Sequence, residues 1–437
     1  MKIRGTGNWT MRNRVSKKPI GVDLFAGAGG LSLGFEQAGF EVLAAVEYDP
    51  VHAATHEYNF PQCATLCRSV AEIDGAYIRA HSSIGAQDIG VVFGGAPCQG
   101  FSMIGKRALE DPRNHLVYHF TRVVAELQPR YFVFENVRGL TLGSHRKFLE
   151  EIIGEFQAKG YTVVEDYKVL NAKNFGVPQD RQRLFLLGAR SGETLPLYPD
   201  PTHAQPGASF DFGFMQATPT VWDAIGDLPE ANDYVELLER DWTEATYGRP
   251  SPYAAEMRLT PSGGEKELLT SSLRTVHTAL SQERFRETSF GETEAVSRFL
   301  KLDPNGVSNT LRAGTASDHG AFTSPRPIHP YSPRCITVRE AARLHSYPDW
   351  FRFHVTKWHG FRQVGNSVPP RLGRAVASVV FDRLGCNVGK DAPGRRHETG
   401  NPKLLDMNMS QAAQHFGVSP LVVPQRTRKP SRIIDSK

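Results

Sequence analysis

The sequence predicts an α/β fold in which a doubly wound, mainly parallel sheet is joined to a second, smaller, loop-rich domain. From about residue 20 to 190, short apolar runs alternate with helix-length segments. The runs are almost continuously apolar, as in strands that are buried on both faces. From 191 to 333, Pro, Gly, Ser and Thr are frequent and the periodicity is poor, which is typical of loops.

The apolar runs and the segments between them predict the order of the elements. Strands are expected at 19–25, 41–49, 89–93, 131–136, 161–170 and 183–190. Helices are expected between them at 31–40, 50–60, 115–129 and 146–160. Helical order returns at 337–353, and 363–385 ends in an amphipathic helix.

The two ends of the chain depart from this pattern. Residues 1–18 are basic and lack an apolar period, which predicts a loose arm. The tail at 386–437 is polar and basic except for 409–420, which has the length of a helix followed by the beginning of a turn. That stretch resembles the first half of a helix-turn-helix. No recognition helix follows it, because 425–432 is charged and interrupted by a proline.

Composition restricts the class of protein without identifying it. The 437 residues, of which 40% are hydrophobic and 22% charged, describe a globular chain long enough for two or more domains. A net charge of +5 tolerates a polyanionic partner without requiring one. Five cysteines do not form a disulfide framework, and no apolar stretch is long enough to span a membrane, so we expect a cytoplasmic protein. Cys63 and Cys67 resemble half of a zinc site, but no second pair follows, and we expect no metal.

A glycine-rich turn, DLFAGAGG at 23–30, predicts a site for an adenosine-bearing cofactor. Gly27, Gly29 and Gly30 lie between a strand and a helix, where such ligands bind at the carboxyl end of a sheet. The third glycine of the dinucleotide fingerprint would fall on Ser32, so the cradle for a pyrophosphate is incomplete. Glu47 follows about 20 residues later and can accept hydrogen bonds from ribose hydroxyls. An adenosyl group without a pyrophosphate indicates S-adenosylmethionine.

A second group of residues is suited to covalent chemistry on an electron-poor ring. Cys98 in GGAPCQGFS and Glu135 in FENVRGL follow two predicted strands, so both belong at the carboxyl edge of the sheet. A thiolate can attack a ring carbon while a carboxyl group protonates or hydrogen-bonds the ring. Arg181 and Arg183 are two residues apart, so both can point to one side of an extended chain and hold a carbonyl oxygen or a phosphate.

These motifs, together with VPQDRQRLFLLG, RCITVREAARLHSYPDWF and FRQVGNSVPPRLG, occur in the order typical of one family. The chain resembles the DNA (cytosine-5)-methyltransferases over about residues 20 to 385. The resemblance implies a class I methyltransferase fold, which is Rossmann-like. It also implies a domain division, in chain order: basic arm 1–18, catalytic and cofactor-binding domain 19–190, target-recognition domain 191–333, return to the catalytic domain 334–385, and basic tail 386–437.

The resemblance assigns roles to the reacting residues. Cys98 would attack carbon 6 of a cytosine flipped out of the duplex, so that carbon 5 becomes nucleophilic and takes the methyl group before elimination frees the enzyme. Glu135 would engage ring nitrogen 3 and the exocyclic amine, and Arg183 the ring carbonyl. Arg181, counted with the catalytic group, would be a structural or phosphate partner.

The resemblance also implies a set of contacts to S-adenosylmethionine. They map to Phe25, Gly27, Gly29, Gly30, Glu47, Pro97, Leu116 and Asn366, of which Leu116 would pack on the adenine. One departure concerns the adenine amine. Where the family usually has Asp-Ile, this chain has Ser69-Val70, so either the Ser69 hydroxyl or Asp74 would accept that hydrogen bond.

Contacts to DNA are expected from two regions. The loop 99–114 carries Lys106 and Arg107 for phosphates, glycines that allow bending, and Met103 or Ile104 as a wedge, so it resembles a lid that closes over the flipped base. In the recognition region, Thr310 belongs to the Thr-Leu pair that the family places there. Arg312 and Arg326 are candidate groove or phosphate contacts.

We therefore expect a monomeric enzyme that methylates cytosine within a short double-stranded DNA site, as the modification partner of a restriction endonuclease in a bacterial cell, associated with the nucleoid. Two alternatives stay open. An RNA-directed relative would use the same chemistry, although a recognition region of about 140 residues favours DNA. A catalytically silent DNA-binding regulator would have no need of intact Cys98, Glu135 and Arg183.

Overall fold

The structure is a computed structural model. It describes residues 18–97, 115–143, 145–205, 215–258, 267–313, 326–386 and 398–420. The arm at 1–17, Cys98 and the loop 99–114 with Lys106 and Arg107 lie outside the described residues.

A central sheet forms the core of the catalytic half. Its described strands are β1 Ile20–Leu24, β2 Glu41–Glu47, β3 Ala64–Cys67, β4 Ile89–Gly94, β5 Tyr131–Val137, β6 Tyr161–Val163, β7 Lys168–Asn171 and β8 Gln182–Arg190. Their order is β3-β2-β1-β4-β5-β8-β6, with β7 also paired to β8. Strands β1 to β5 are parallel, and β8 runs antiparallel to β5, β6 and β7. The predicted doubly wound, mainly parallel sheet is confirmed, and its strand order reverses between β1 and β4.

The strand predicted at 161–170 is two strands. Both pair with the same edge of β8, since Val163 lies opposite Gly188 and Lys168 opposite Phe185. Between them the chain makes a four-residue excursion at 164–167, closed by a hydrogen bond from the Tyr167 amide to the Glu165 carbonyl. The excursion contains two adjacent acidic residues, and a period-2 pattern of apolar residues does not reveal it.

Helices cover both faces of the sheet. In chain order, the described helices are α1 Gly30–Ala38, α2 Pro50–Asn59, α3 Gly75–Ala80, α4 His115–Leu127, α5 His145–Ala158, α6 Val221–Ile225, α7 Pro252–Met257, α8 Ala279–Glu287, α9 Val338–Leu344, α10 Lys357–Asn366, α11 Pro370–Leu384 and α12 Met409–His415. Along β4, Val91 and Phe93 pack with α1 and α11, and Val92 packs with α4 and α5. This alternation explains why the strand is apolar throughout. Among the described residues, no helix combines the length and the apolar character needed to cross a bilayer.

Helices α1 and α11 pack at very close range. A Cβ on Gly34 would lie 2.7 Å from the backbone nitrogen of Arg374 and 2.8 Å from the carbonyl carbon of Gly373. Glycine at position 34 is therefore required by the helix contact. The contact brings the end of the chain's catalytic part back beside the glycine-rich turn that begins α1.

The region 191–333 is loop-rich, with short helices α6 to α8 and the short strands β9 His203–Ala204, β10 Gln216–Ala217, β11 Thr243–Ala245 and β12 Glu267–Leu269. It is not packed as an independent body. Val221 and Tyr253 belong to the same apolar core as Val338 and Leu344 of α9. The boundaries at 191 and 333 stay a prediction.

Buried ion pairs join this region to α9. Arg343 of α9 contacts Asp227 at 3.2 Å and Asp349 at 2.6 Å, and Arg258 contacts the same Asp227 at 2.7 Å. All of these side chains are largely excluded from water, so each charge depends on its partners. These pairs fix the region 191–333 to the segment that contains α9.

Part of the predicted tail is a packed element. Residues 398–420 form a single-turn 3₁₀ helix, Pro402–Leu405, followed by α12, which confirms a helix within 409–420. Leu404, Leu405 and Ala412 are buried against residues of α2, among them Val51 and Tyr58. The Gly400 amide also donates to the Tyr58 carbonyl at 2.7 Å. This segment therefore supports α2, the helix that begins beside Glu47.

Candidate active site

A cavity of about 740 Å³ opens at the carboxyl ends of β1, β2, β4 and β5, beside the point where the strand order reverses. This is the usual ligand position in an open α/β sheet, and the volume suits a small organic ligand. The residues that line it include Asp23, Phe25, Gly27, Gly30, Glu47, Tyr48, Ser69, Glu72, Gly95, Pro97, Leu116, Glu135, Arg183 and Asn366.

The three glycines of the turn have different surroundings, so the absence of a side chain has a different consequence at each position. Gly27 has a φ of 58°, and no atom lies within 4 Å of the place that a Cβ would take, so its backbone faces open space in the cavity. A Cβ on Gly29 would overlap the Phe60 ring, and one on Gly30 would lie 2.6 Å from the Tyr347 hydroxyl. Gly29 does not line the cavity, and its role as a cofactor contact stays a prediction. Packing requires Gly29, and Gly27 leaves room for a ligand.

Glu47 stands at the end of β2 with its carboxylate oriented by the backbone. One oxygen accepts the Gly27 amide at 2.8 Å, and the other accepts the Asp49 amide at 2.8 Å. Burial raises the pKa of Glu47, whereas these amide donors favour its charged form. Each carboxylate oxygen retains a lone pair, so a vicinal diol such as that of a ribose can donate to both oxygens.

Sequence reasoning missed Asp23, which lines the cavity from the end of β1. Its Oδ2 accepts the Ser32 hydroxyl at 2.7 Å, and Ser32 is 3.1 Å from His56 Nε2. Its Oδ1 is buried with no hydrogen-bond partner among the described residues. Burial raises the pKa of Asp23 to about 8 and lowers that of His56 to about 3. A carboxylate at the end of a buried strand, directly before a glycine turn, was the available signal.

Ser69 and Asp74, the two candidate hydrogen-bond acceptors for the adenine amine, differ in their position relative to the cavity. Ser69 lines the cavity, and its hydroxyl accepts the Ala71 amide at 3.2 Å, which leaves a lone pair and a donor. Asp74 instead caps α3 by accepting the Tyr77 amide at 2.7 Å and does not line the cavity. The placement favours Ser69.

Three further residues line the cavity. Leu116, in the first turn of α4, lines it as expected. Sequence reasoning missed Tyr48 and Glu72, which also line it. Tyr48 presents a 40% exposed ring directly after Glu47, and an aromatic residue beside the predicted ribose ligand was a usable signal.

The reacting end contains a carboxylate paired with a guanidinium. In the antiparallel pair of β5 and β8, Arg183 lies opposite Val137 and Glu135 lies opposite Phe185, so Glu135 and Arg183 are diagonal neighbours on one face. Their atoms Oε1 and Nε are 2.9 Å apart, and both side chains are nearly buried. Burial raises the pKa of Glu135 although Arg183 lowers it. The carboxyl group therefore holds a proton more readily than an exposed glutamate does.

The chain between β4 and Cys98 is fitted around Glu135. A Cβ on Gly95 would overlap Glu135 Oε2, so the glycine makes space for the carboxylate. The Asn136 side chain donates to the Ala96 carbonyl at 3.1 Å and accepts the Val137 amide at 2.9 Å. These contacts hold the segment that leads through Pro97 to Cys98, which itself lies outside the described residues.

Arg181 has different partners from its neighbour Arg183. It is fully buried, and its guanidinium donates to the backbone carbonyls of Leu311, Gly365 and Ser367, each at 2.8 Å. Of the structural and phosphate roles expected for it, the structure favours the structural one, because carbonyl oxygens occupy the guanidinium.

The predicted DNA contacts fall in different environments. The Thr310 hydroxyl donates to the Asp180 carbonyl at 2.7 Å, and Arg312 is exposed two residues further on. Arg326 lies 4.9 Å over the Phe361 ring and donates to the Thr275 hydroxyl at 3.3 Å. Among the described residues, Arg312 is therefore exposed, whereas Arg326 is mostly packed against protein.

The cysteine pair considered for zinc is inert in character. Cys63 and Cys67 are both buried, and burial raises the pKa of both thiols, that of Cys67 to about 12. Zinc requires thiolates. Within the described part of the chain, no group of three or more His, Cys, Asp or Glu side chains is placed to hold a metal ion.

Comparisons with known proteins agree with this site. A family model of the C-5 cytosine-specific DNA methylases matches residues 21–382. The chain is 57% identical over 424 residues to Type II methyltransferase M.XorII of Xanthomonas oryzae pv. oryzae, covering 95% of this chain and 96% of that protein. It is 32% identical to Type II methyltransferase M.AgeI of Thalassovita gelatinovora, covering 82% of this chain and 98% of the relative.

Solved structures show the same fold. A protein from an E. coli prophage, described as a DNA modification methyltransferase, superposes with a TM-score of 0.67 at 33% identity, over 84% of this chain and 100% of that one. The Dnmt2 methyltransferase of S. pombe superposes with a TM-score of 0.51 at 16% identity, over 84% and 99%, and at this distance it supports the fold alone.

Proposed function

Since the chain belongs to the C-5 cytosine-specific DNA methylase family and is a DNA (cytosine-5)-methyltransferase, we propose that it methylates carbon 5 of a flipped cytosine in a short double-stranded DNA site. The proposed reaction uses S-adenosylmethionine and passes through a covalent adduct on Cys98. The observation that supports this most directly is the pairing of Glu135 with Arg183 in the cavity that also contains Gly27 and Glu47. One cavity therefore contains both the Glu135–Arg183 pair, which suits the polar edge of a pyrimidine, and Glu47, which can accept hydrogen bonds from a ribose.

The proposed chemistry assigns each reacting residue a bond. The Cys98 thiolate adds to carbon 6 of the cytosine, and electron density moves to carbon 5. Glu135, whose pKa is raised by burial, donates to ring nitrogen 3 and accepts from the exocyclic amine, while Arg183 donates to the ring carbonyl oxygen. After substitution at carbon 5, loss of the proton at that carbon expels the thiolate and restores the aromatic ring.

The residues of the cavity fit the proposed cofactor. Bound S-adenosylmethionine supplies an electrophilic methyl group. Glu47 accepts from the ribose hydroxyls, Gly27 allows close approach of the ligand to its backbone, and the Ser69 hydroxyl accepts from the adenine amine. Leu116 and the ring of Tyr48 enclose the flat base. Phe25, Pro97 and Asn366 complete the lining between the two ends.

The proposed role in the cell rests on the relatives. Both curated relatives described above carry the name Type II methyltransferase, which supports a modification role that protects the recognition site from a companion endonuclease. We propose that the chain acts as a monomer, that the loop 99–114 closes over the flipped base with Lys106 and Arg107 at phosphates, and that Thr310 and Arg312 lie at the DNA. Arg326 is less accessible than Arg312.

The proposal is tested by trapping the enzyme on DNA. Bisulfite sequencing of DNA from cells that express the chain identifies the methylated site. A duplex with 5-fluorocytosine at that position then forms an adduct with the wild-type chain that survives denaturation, and Cys98→Ser abolishes it. Methyl transfer to tRNA in place of duplex DNA would show that the chain is an RNA-directed methyltransferase. DNA binding without methyl transfer would show that it is a catalytically silent regulator.

A further inference from the structure

One buried guanidinium joins three segments that are distant in sequence. Arg181, directly before β8, donates through Nη1 to the carbonyl of Leu311 and through Nη2 to the carbonyls of Gly365 and Ser367, each at 2.8 Å. Its side chain is completely excluded from water. A buried guanidinium with three backbone acceptors in a fixed fork permits little relative movement of the segments it joins.

The first of these segments is the turn that presents Asn366 to the cofactor cavity. Asn366 lies between the two carbonyls that share Arg181 Nη2, and it lines the cavity. The Ser367 carbonyl has a second buried partner at 3.1 Å, His345 Nε2. Arg181 and His345, neither of which lines the cavity, therefore determine the position of Asn366.

The second segment carries the proposed DNA contacts. The Leu311 carbonyl is bonded to Arg181, and the Leu311 amide donates to the Gln179 side chain at 3.2 Å. One residue earlier, Thr310 is bonded to the Asp180 carbonyl, and one residue later Arg312 is exposed. Residues 179–181, directly before β8, therefore form hydrogen bonds with the consecutive residues 310 and 311 of this recognition segment.

The two segments also touch each other directly. A Cβ on Gly365 would lie 2.5 Å from the Ala313 amide nitrogen and 2.5 Å from the Arg312 carbonyl carbon. This contact leaves no space between the cofactor turn and the recognition segment. A shift of Arg312 toward a phosphate is therefore transmitted to residues 365–367, both through this contact and through Arg181.

We propose that Arg181 is a positioning residue that couples the two ligands, so that DNA bound at Thr310 and Arg312 strengthens binding of the cofactor at the Asn366 turn, and the reverse. This inference rests on the proposed function. Whichever ligand binds first fixes both segments, so the second ligand encounters a site that is already ordered. Since coupling of binding free energies is reciprocal, either ligand can be used to measure it.

The experiment compares the dissociation constant of S-adenosylhomocysteine with and without a duplex that the wild-type chain has been shown to methylate. The duplex is expected to tighten binding to the wild-type chain by at least about 5-fold, the lower end of common coupling. In Arg181→Lys the ratio falls to below about 2-fold, because an ammonium group cannot keep three planar bonds.

Arg339→Lys is the matched control. Arg339 is equally buried and also donates to three backbone carbonyls, those of Thr270, Pro348 and Phe351, none of which lies in the cofactor turn. Its replacement should lower the melting temperature as much as Arg181→Lys does while the ratio stays at the wild-type value. A merely structural Arg181 would make the two variants behave alike.

A milder variant covers the case in which Arg181→Lys does not fold. Thr310→Val keeps the volume of the side chain and removes one bond, that to the Asp180 carbonyl, so the ratio should fall part of the way. A ratio near 1 for the wild-type chain, or an unchanged ratio in both Arg181→Lys and Thr310→Val, overturns the coupling. A wild-type chain that methylates no duplex overturns instead the proposed function.

Discussion

Gly95 gives a direct test of how the Glu135 carboxylate is placed. The backbone of Gly95 is outside the left-handed region, so alanine fits its conformation without strain. The added Cβ would, however, overlap Glu135 Oε2, which is the end of a side chain and can move. Gly95→Ala should therefore leave the fold intact and displace one catalytic group.

The size of the effect follows from the geometry. To reach an ordinary contact distance the carboxylate must move by roughly 1 Å, about twice the tolerance within which a catalytic group must be held. A misplacement of about 1 Å costs on the order of 100-fold in rate, so we expect kcat to fall by about 10- to 100-fold. That loss corresponds to about 1.4–2.7 kcal/mol of transition-state stabilisation.

The assay is the initial rate of methyl transfer to duplex DNA at saturating cofactor, combined with thermal denaturation. Gly154→Ala is the control, because Gly154 lies within α5 with no atom within 4 Å of its Cβ position, and alanine there should preserve the rate and slightly raise the melting temperature. If Gly95→Ala folds normally and keeps the wild-type kcat, then Glu135 does not need the position it has here, and the reasoning is refuted.

Two further predictions concern stability. Burial raises the pKa of Asp23 from 3.8 to about 8, so between about pH 4 and 8 the folded chain holds a proton that the unfolded chain has lost, and the wild-type loses stability as pH rises. Asp23→Asn should therefore stabilise the chain more at pH 8 than at pH 5 in urea denaturation, and parallel pH profiles would contradict this. Leu405→Ala should cost about 2–5 kcal/mol and lower the melting temperature, because Leu405 is buried against α2, while Leu280→Ala, at a 62% exposed position, should change little. Equal melting temperatures for these two variants would show that the segment 398–420 does not support the fold.

Most of the sheet could be predicted because buried parallel strands are apolar throughout and end in turns. The elements that could not be predicted depend on contacts distant in sequence. The helical pattern at 337–353 gives a helix that ends at Leu344, where Ser346 adopts a φ of 63° and Pro348 follows. The docking of 398–420 on α2 left no signal, since its polar composition conceals a few apolar residues that fit one helix face.

The site was predictable where its residues end a strand and not where they depend on packing. Glu47 and Glu135 follow from the rule that functional groups gather at carboxyl ends of parallel strands, whereas Arg183 lies at the start of the antiparallel strand β8. The structure places all three in one cavity. Gly29 would overlap the Phe60 ring if it carried a Cβ, and Arg326 lies over the Phe361 ring. Neither of these packing contacts could be predicted from the sequence.

The same limit applies to the basic character of the chain, which is a poor guide to where DNA binds. The segment RCITVREAARLH has the composition of a basic patch, yet Arg334, Arg339 and Arg343 are all buried. Their acidic partners include Glu230, Glu340, Asp227 and Asp349. Each pair contains one positive and one negative charge, so pairing leaves the net charge unchanged. An arginine in such a pair is, however, not available to bind a phosphate. Exposed cations such as Arg312 are therefore better candidates for attracting DNA, and we expect the salt dependence of DNA binding to reflect their number and not the arginine content of the motif.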